Sequence, residues 1–313
     1  MIISASRRTD IPAFYGEWFM NRLNAGEVLV RNPRAPRRVS RVPLSRSQVD
    51  CLVFWSKNPA PMRERLTWLH REGWPLYVQF TLTPYGADVE PGVPPRQCLL
   101  DSFRRLADAL GPDRVVWRYD PVLLNATYPA ARHTEDFDRL SRALAGYTRR
   151  CVFSFVDMYR RNRPFLRAVA DGEPTQESLR VLAAELAALA AARGLSLAAC
   201  AEDLDLSDCG VERAACIDRA LIEQITGTPL RAGKDPGQRA SCGCVESVDI
   251  GEYDSCPYAC RYCYATSHSR RVAARVRLHN PASPLLVGWP DERDTIIDRR
   301  VRSRVTRQGS LLP

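Results

Sequence analysis

Three cysteines stand close together near the C-terminus, in the run Ser255-Cys256-Pro257-Tyr258-Ala259-Cys260-Arg261-Tyr262-Cys263-Tyr264-Ala265, at the spacing C-x3-C-x2-C. This is not the four-cysteine spacing of a ferredoxin, in which every iron of a cubane has its own thiolate. Three thiolates can hold a 4Fe-4S cluster and leave one iron open, and an open coordination position is what separates a catalytic metal from a structural one. S-adenosylmethionine could chelate that iron. One electron passed into its sulfonium would split a carbon-sulfur bond and release a 5'-deoxyadenosyl radical, chemistry that the cofactor supplies and the protein positions. The same thiols, joined by a fourth, could instead knot around zinc.

Five further cysteines lie just upstream: Cys200, Cys209, Cys216, Cys242 and Cys244. Cys200 is expected to end a strand, Cys216 to lie on a helix, and Cys242-Gly243-Cys244 to form a tight turn presenting two thiols. We expect Cys200, Cys216, Cys242 and Cys244 to hold an auxiliary cluster, a second iron-sulfur site, with Cys209 spare; zinc or simply buried thiols are the alternatives. The remaining three, Cys51, Cys98 and Cys151, sit in apolar or helical patterns and read as buried small hydrophobes. A total of eleven cysteines is odd, which disfavours full disulfide pairing and suits a reducing compartment in which thiols stay free for metals.

The elements that must position these residues alternate. Strand-like runs cover Ile2-Ala5, Cys51-Trp55, Leu76-Leu82, Val115-Tyr119, Cys151-Val156, Leu195-Ala201 and Val245-Ile250. Between them, Leu99, Phe103, Leu106 and Leu110 step at helical spacing and stop at Gly111-Pro112; Leu179, Leu182, Leu186 and Leu189 do so before Gly194; Phe137, Leu140 and Leu144 mark a third helix. Alternation of this kind predicts an α/β fold with a parallel sheet, closed or partly closed as a TIM-like β/α barrel, with helices outside. The strand ends are polar: Ser6-Arg7-Arg8-Thr9-Asp10, Ser56-Lys57-Asn58-Pro59, Thr81-Leu82-Thr83, Arg118-Tyr119-Asp120-Pro121, Asp157 and Glu202-Asp203. In parallel α/β folds the active site forms at the C-terminal ends of the strands, so these groups are expected to share one mouth.

The chain has 313 residues, 45% of them hydrophobic, enough for one large barrel, which we place at 1-265 with its cysteine-rich segment at 200-265. Residues 266-313 read as a basic extension packing on that body. No apolar run approaches the roughly 20 residues of a membrane span, and Met1-Ile3 leads directly into polar residues; both point to a cytoplasmic protein with no membrane partner. The net charge is +9. Much of it comes from the extension and from Arg31, Arg34, Arg37, Arg38, Arg41 and Arg46, so nucleic acid is a candidate partner, against the plainer reading of a solvated basic surface.

The motif Cys256-Pro257-Tyr258-Ala259-Cys260-Arg261-Tyr262-Cys263-Tyr264-Ala265 resembles the cluster loop of the radical S-adenosylmethionine superfamily, in particular its spore photoproduct lyase-like branch. Over most of its length the chain also resembles an uncharacterised bacterial family, domain of unknown function family 1848. Ser6-Arg7-Arg8-Thr9-Asp10-Ile11-Pro12, Phe54-Trp55-Ser56-Lys57-Asn58-Pro59 and Trp117-Arg118-Tyr119-Asp120-Pro121 carry that likeness, with Cys200-Ala201-Glu202 and Cys216-Ile217-Asp218. Ordinary superfamily members place the cluster loop after the first barrel strand, whereas six strand candidates precede it here. The resemblance therefore implies a permuted barrel, with Val245-Ile250 in the role of first strand and Ile2-Ala5 in that of second. It further implies that Lys57 pairs with the S-adenosylmethionine carboxylate, that Tyr262 offers its backbone to adenine, and that Arg118 with Asp120 binds the cofactor or orders the site. Arg7, Arg8 and Asp10 become candidates to grip substrate, and a flavodoxin- or ferredoxin-like electron donor becomes a partner. The competing expectation is a non-enzymatic protein, stabilised by zinc or an iron-sulfur cluster, that binds nucleic acid or senses redox state.

Overall fold

The computed structural model describes residues 1-169 and 174-305. Eleven strands are present: β1 (Ile2–Ala5), β2 (Glu27–Asn32), β3 (Ala35–Pro43), β4 (Cys51–Ser56), β5 (Leu76–Thr81), β6 (Val115–Val122), β7 (Arg150–Phe155), β8 (Ser196–Cys200), β9 (Glu212–Ala214), β10 (Val248–Asp249) and β11 (Thr295–Asp298). The helices are α1 (Ile11–Phe14), α2 (Gly16–Ala25), α3 (Arg63–Arg71), α4 (Arg96–Leu110), α5 (Ala130–Leu144), α6 (Arg163–Val169), α7 (Gln176–Ala191), α8 (Arg219–Thr226) and α9 (Ser269–Arg277).

Eight strands form one parallel sheet in the order β10-β1-β4-β5-β6-β7-β8-β9. Because β10 is late in sequence but pairs with β1, Ile3 against Val248 and Ser4 against Asp249, the spatial order is a circular shift of the chain order. The expected partial β/α barrel is not seen, and the sheet does not close. The edge strands β10 and β9 do not pair with each other, and with two and three residues they offer little backbone to a closing ladder. The sheet is open.

Alternate side chains send the two faces of the sheet into different cores, as the period of two requires. Ile3, Leu52, Phe54, Val78, Phe80, Trp117 and Phe153 pack with helix residues such as Leu66, Phe103, Phe137 and Leu186. In α4 the buried Leu99, Phe103, Leu106 and Leu110 make one stripe, and the chain breaks at Gly111, φ 89°. The opposite set, Ile2, Cys51, Val53, Tyr77, Val116, Val152 and Ala198, is covered by a segment that includes Cys216, Ile217, Leu221, Ile222, Cys242 and Cys244. The cysteine-rich segment is thus a lid on the second face of the sheet.

A second, three-stranded sheet has the order β11-β3-β2. Most of the arginine-rich stretch is a β-hairpin, in which Val28 stands opposite Val42 and Leu29 and Val39 are buried together with Leu285. Arg31 pairs with Asp294 at 2.5 Å and Arg41 with Asp298 at 2.9 Å. Arg46 reaches Glu72 at 3.7 Å. Half of the arginines proposed to meet a polyanion therefore have acidic partners within the chain, while Arg34, Arg37 and Arg38 are exposed.

The extension packs on this body over its described part, 266-305. Trp18 Nε1 donates to Ser283 O at 3.0 Å, Leu285 is buried, and Asp50 takes both the Met1 ammonium and the Ser303 hydroxyl at 2.6 Å. Residues 306-313 of the extension lie outside the described residues. Among the described residues, no helix is long and apolar enough to cross a membrane. Of the three cysteines read as buried hydrophobes, Cys51 and Cys151 are buried, but Cys98 is exposed on the outer side of α4.

Candidate metal and cofactor site

The three-cysteine loop springs from the C-terminal end of β10 and is strapped down on every side. Asp249 anchors its root, accepting from Ser6 Oγ at 2.6 Å, Arg7 N at 2.8 Å and Ser4 Oγ at 3.0 Å. The next turn needs glycine at 251, where a Cβ would lie 2.0 Å from Ser6 Oγ. Asp254, 1% exposed and held at φ 58°, closes the loop. Its N-H donates to Ala265 O at 2.9 Å and its carboxylate meets Arg161 and Arg271, both at 3.2 Å. Midway, Gly92 N donates to Tyr258 O at 3.1 Å, and Arg261 N to Val89 O at 2.9 Å.

Cys256, Cys260 and Cys263 are each half-buried and free. Burial pushes the Cys256 thiol up to about 12 and Cys260 well above its ordinary value. Buried thiols of this kind stay protonated unless a cation displaces the proton. Donors to sulfur are in place: the N-H groups of Tyr258 and Asp10 serve Cys256, and Ala265 N reaches Cys263 Sγ at 3.4 Å. Three thiols with amide donors and no fourth cysteine in the loop are the donor set that a cluster with one open iron would need. Among the described residues, no three Cys, His, Asp or Glu side chains stand ready-made around a metal position, in this loop or among the upstream cysteines, so any loading must reorient the thiols.

Beside Cys260 lies a buried polar knot from three strand ends. Lys57 Nζ is 2.8 Å from Glu90 Oε1, which also accepts from Thr83 Oγ1 at 2.7 Å and Tyr262 Oη at 2.5 Å. Lys57 stands over the Tyr262 ring at 5.7 Å and draws the Cys260 thiol downward against the effect of burial. Burial, the largest influence, would lower the Lys57 pKa; Glu90, Cys260 and Asp120 together outweigh it and the net shift is upward. The Tyr262 carbonyl accepts from Asn162 Nδ2 at 2.8 Å. Glu90 and Asn162 carry no motif of their own and were not legible before the fold was known.

On the sheet's second face, Arg118 and Asp120 pair at 2.5 Å, and Asp120 also takes Ser154 Oγ. Arg118 lies over Trp55 at 5.1 Å and donates to Cys216 Sγ at 2.7 Å. That sulfur is 3.0 Å from Cys200 Sγ, and Cys242 and Cys244 lie in the same buried cluster of side chains. The four cysteines expected to act together are brought together. Cys216 is not helical; it lies in the bend before α8, which begins at Arg219. Cys209 stands apart, with Asp208 as its neighbour.

The three residues read as substrate contacts have structural partners. Asp10 is buried, caps α1 by accepting from Ala13 N at 2.9 Å, and accepts from Lys57 N at 2.7 Å. Burial raises its carboxyl to about 6. Arg7 lies over Trp55 at 5.6 Å with Asp235 3.8 Å away, and Arg8 lies over Tyr253 at 5.2 Å. Tyr264 Oη donates to Arg7 O at 2.9 Å and so ties the end of β1 to the cysteine loop. Among the polar strand ends, Asp10, Lys57 and Thr83 are joined by hydrogen bonds, as are Asp120 with Ser154 and Glu202 Oε1 with Phe155 N.

Fold and site together define a parallel α/β protein with a three-thiol loop at one sheet edge and a separate four-thiol group on a sheet face. The chain belongs to the domain of unknown function family DUF1848, whose model matches residues 2-265. No curated protein matches the chain significantly.

Proposed function

We propose that this protein is a radical S-adenosylmethionine enzyme whose 4Fe-4S cluster is held by Cys256, Cys260 and Cys263. The observation that carries the reading is the three-thiol loop meeting the Lys57 knot at the C-terminal end of one parallel sheet. On this reading the strand order of the open sheet is a permuted one, with β10 in the place of the first strand and β1 in that of the second. When bound, the cluster supplies one electron to S-adenosylmethionine and so yields a 5'-deoxyadenosyl radical.

The chain's own residues then have definite tasks. The amide donors of Tyr258, Asp10 and Ala265 stabilise the thiolates. Lys57 offers a cation to the cofactor carboxylate, in exchange with Glu90, so binding there trades one charged contact for another instead of satisfying a bare ammonium. Tyr262 presents backbone to adenine beside the Asn162 contact. Arg118 and Asp120 order the mouth, and Arg7 and Arg8 define its β1 side. A flavodoxin- or ferredoxin-like protein would deliver the electron. The substrate class we favour is a nucleobase, free or in nucleic acid, because exposed Arg34, Arg37 and Arg38 continue the basic surface.

The test is anaerobic reconstitution with iron and sulfide, dithionite reduction, and mass-spectrometric detection of 5'-deoxyadenosine from S-adenosylmethionine in wild type and Cys260→Ala. Product from wild type alone is the expected result. A fully assembled, reducible cluster that gives no product, with or without added oligonucleotide, would overturn the reading.

A further inference from the structure

We infer that Cys200, Cys216, Cys242 and Cys244 form a second metal centre that takes one thiophilic divalent ion, for which zinc is the best match, and not a second iron-sulfur cluster. The inference goes beyond the radical reading and does not depend on it.

In this group two of the sulfurs touch, Cys200 and Cys216 at 3.0 Å, and Cys242 and Cys244 lie in the same buried cluster of side chains. Around a cluster each thiolate binds a different iron and the sulfurs must stand apart. Around one tetrahedral ion with Zn-S bonds of about 2.3 Å the sulfurs lie about 3.8 Å from one another. Opening the Cys200-Cys216 contact by about 0.8 Å would suffice for that pair.

The scaffold holds these sulfurs where they are. Cys216 O accepts from Tyr77 Oη at 2.7 Å and Gln79 Nε2 at 2.9 Å, which fixes it on β5. Ile217 N donates to Cys244 Sγ at 3.3 Å, and Asp235 N donates to Cys244 O at 2.9 Å. At Gly243 a Cβ would come within 3.1 Å of Ala214 O, so the Cys-Gly-Cys turn can approach the β9 end only with glycine between its thiols. Ala201, directly after Cys200, is held at φ 57°. Cys216, Cys242 and Cys244 are 3%, 6% and 2% exposed.

Charge points the same way. Four thiolates around a divalent ion carry a net charge of about -2, which a buried site must offset. Two guanidiniums do so: Arg118, 2.7 Å from Cys216 Sγ, and Arg7, on which Cys244 and Cys216 both act. An amide N-H on Cys244 adds the kind of support that ligand sulfurs receive from their surroundings. Coordination would fasten residues 200-244 to the sheet face, beneath the Arg118-Asp120 pair.

The test uses the full chain carrying Cys256→Ala, Cys260→Ala and Cys263→Ala together, so that iron at the first site cannot contribute. Purified from zinc-supplemented cells and desalted, it should retain about one zinc per chain and no labile sulfide. Adding Cys244→Ser should remove it. Because that variant could fail to fold, wild type is also alkylated with and without prior chelation. The four thiols should be shielded until the chelator strips the ion, while exposed Cys98 reacts throughout. Iron with stoichiometric sulfide in the triple variant, no metal at all, or alkylation of the four thiols at a rate that chelation does not change would each overturn the inference. Failure of 5'-deoxyadenosine formation would leave these readouts untouched.

Discussion

Glu90→Gln is the most informative single perturbation of the thiol loop's surroundings. Glu90 is 4% exposed, and three donors converge on its Oε1: Lys57 at 2.8 Å, Thr83 at 2.7 Å and Tyr262 at 2.5 Å. A glutamine keeps an acceptor oxygen for the two hydroxyls but removes the charge that offsets Lys57. With an effective dielectric constant of about 20, opposite charges at this separation attract by roughly 6 kcal/mol, and a carboxamide dipole recovers only part of that. Breaking a buried pair by removing one partner costs about 3-5 kcal/mol, which is the loss expected here. Lys57→Met combined with Glu90→Gln should recover most of it, because no uncompensated charge remains. The pH dependence has a definite sign. In wild type burial lowers the Lys57 pKa and Glu90, together with Cys260 and Asp120, more than restores it, so the folded value lies above 10.5 and this contribution is lost only as pH rises beyond 10.5. In Glu90→Gln the main raising influence is gone and burial, the largest influence, pulls the folded value down, so the deficit is fully present at low pH and narrows as pH climbs. Urea unfolding of the metal-free, reduced protein, read as midpoint and slope between pH 6 and 10, measures both effects. A loss under about 1 kcal/mol at pH 7, or a double variant no better than the single one, would refute the account of a buried, mutually dependent pair.

His133 gives a second pH signature. It is buried on α5, with Nδ1 2.8 Å from Tyr119 Oη and Nε2 3.0 Å from Leu123 O, and burial lowers its pKa below 6.5. Stability should therefore fall as pH drops below 6.5, where the unfolded chain binds the proton first, and His133→Gln should flatten that slope in the same urea series; parallel profiles would refute it. Gly251→Ala places a methyl 2.0 Å from Ser6 Oγ, so it should cost about 1-3 kcal/mol and, by displacing the root of the cluster loop, lower the iron retained after reconstitution. Iron content and thermal midpoint equal to wild type would show that the turn at 251 does not position the thiols.

The alternation of strands and helices, the helical stripe of Leu99, Phe103, Leu106 and Leu110, and the grouping of Cys200, Cys216, Cys242 and Cys244 were all legible in the sequence. They rest on local rules: a period of two or 3.6, glycine stops, and thiols concentrated in a segment with no disulfide role. Strands β2 and β3 were hidden because five arginines, Arg31, Arg34, Arg37, Arg38 and Arg41, break up their apolar pattern, and the burial of Leu29 and Val39 depends on Leu285 of the extension. Whether the sheet closes was equally out of reach, since closure depends on how far the two edge strands extend and on what covers the inner face; here residues 214-245 cover it. Glu90 and Asn162 have no spacing that marks them. They become part of the site only because the chain between β5 and α4, and the one after β7, are carried back over the cluster loop. The sequence determined by itself which atoms can bind metal. Tertiary structure decided which of them meet, as Cys200 and Cys216 do at 3.0 Å, because that is set by backbone contacts from distant strands and not by spacing along the chain.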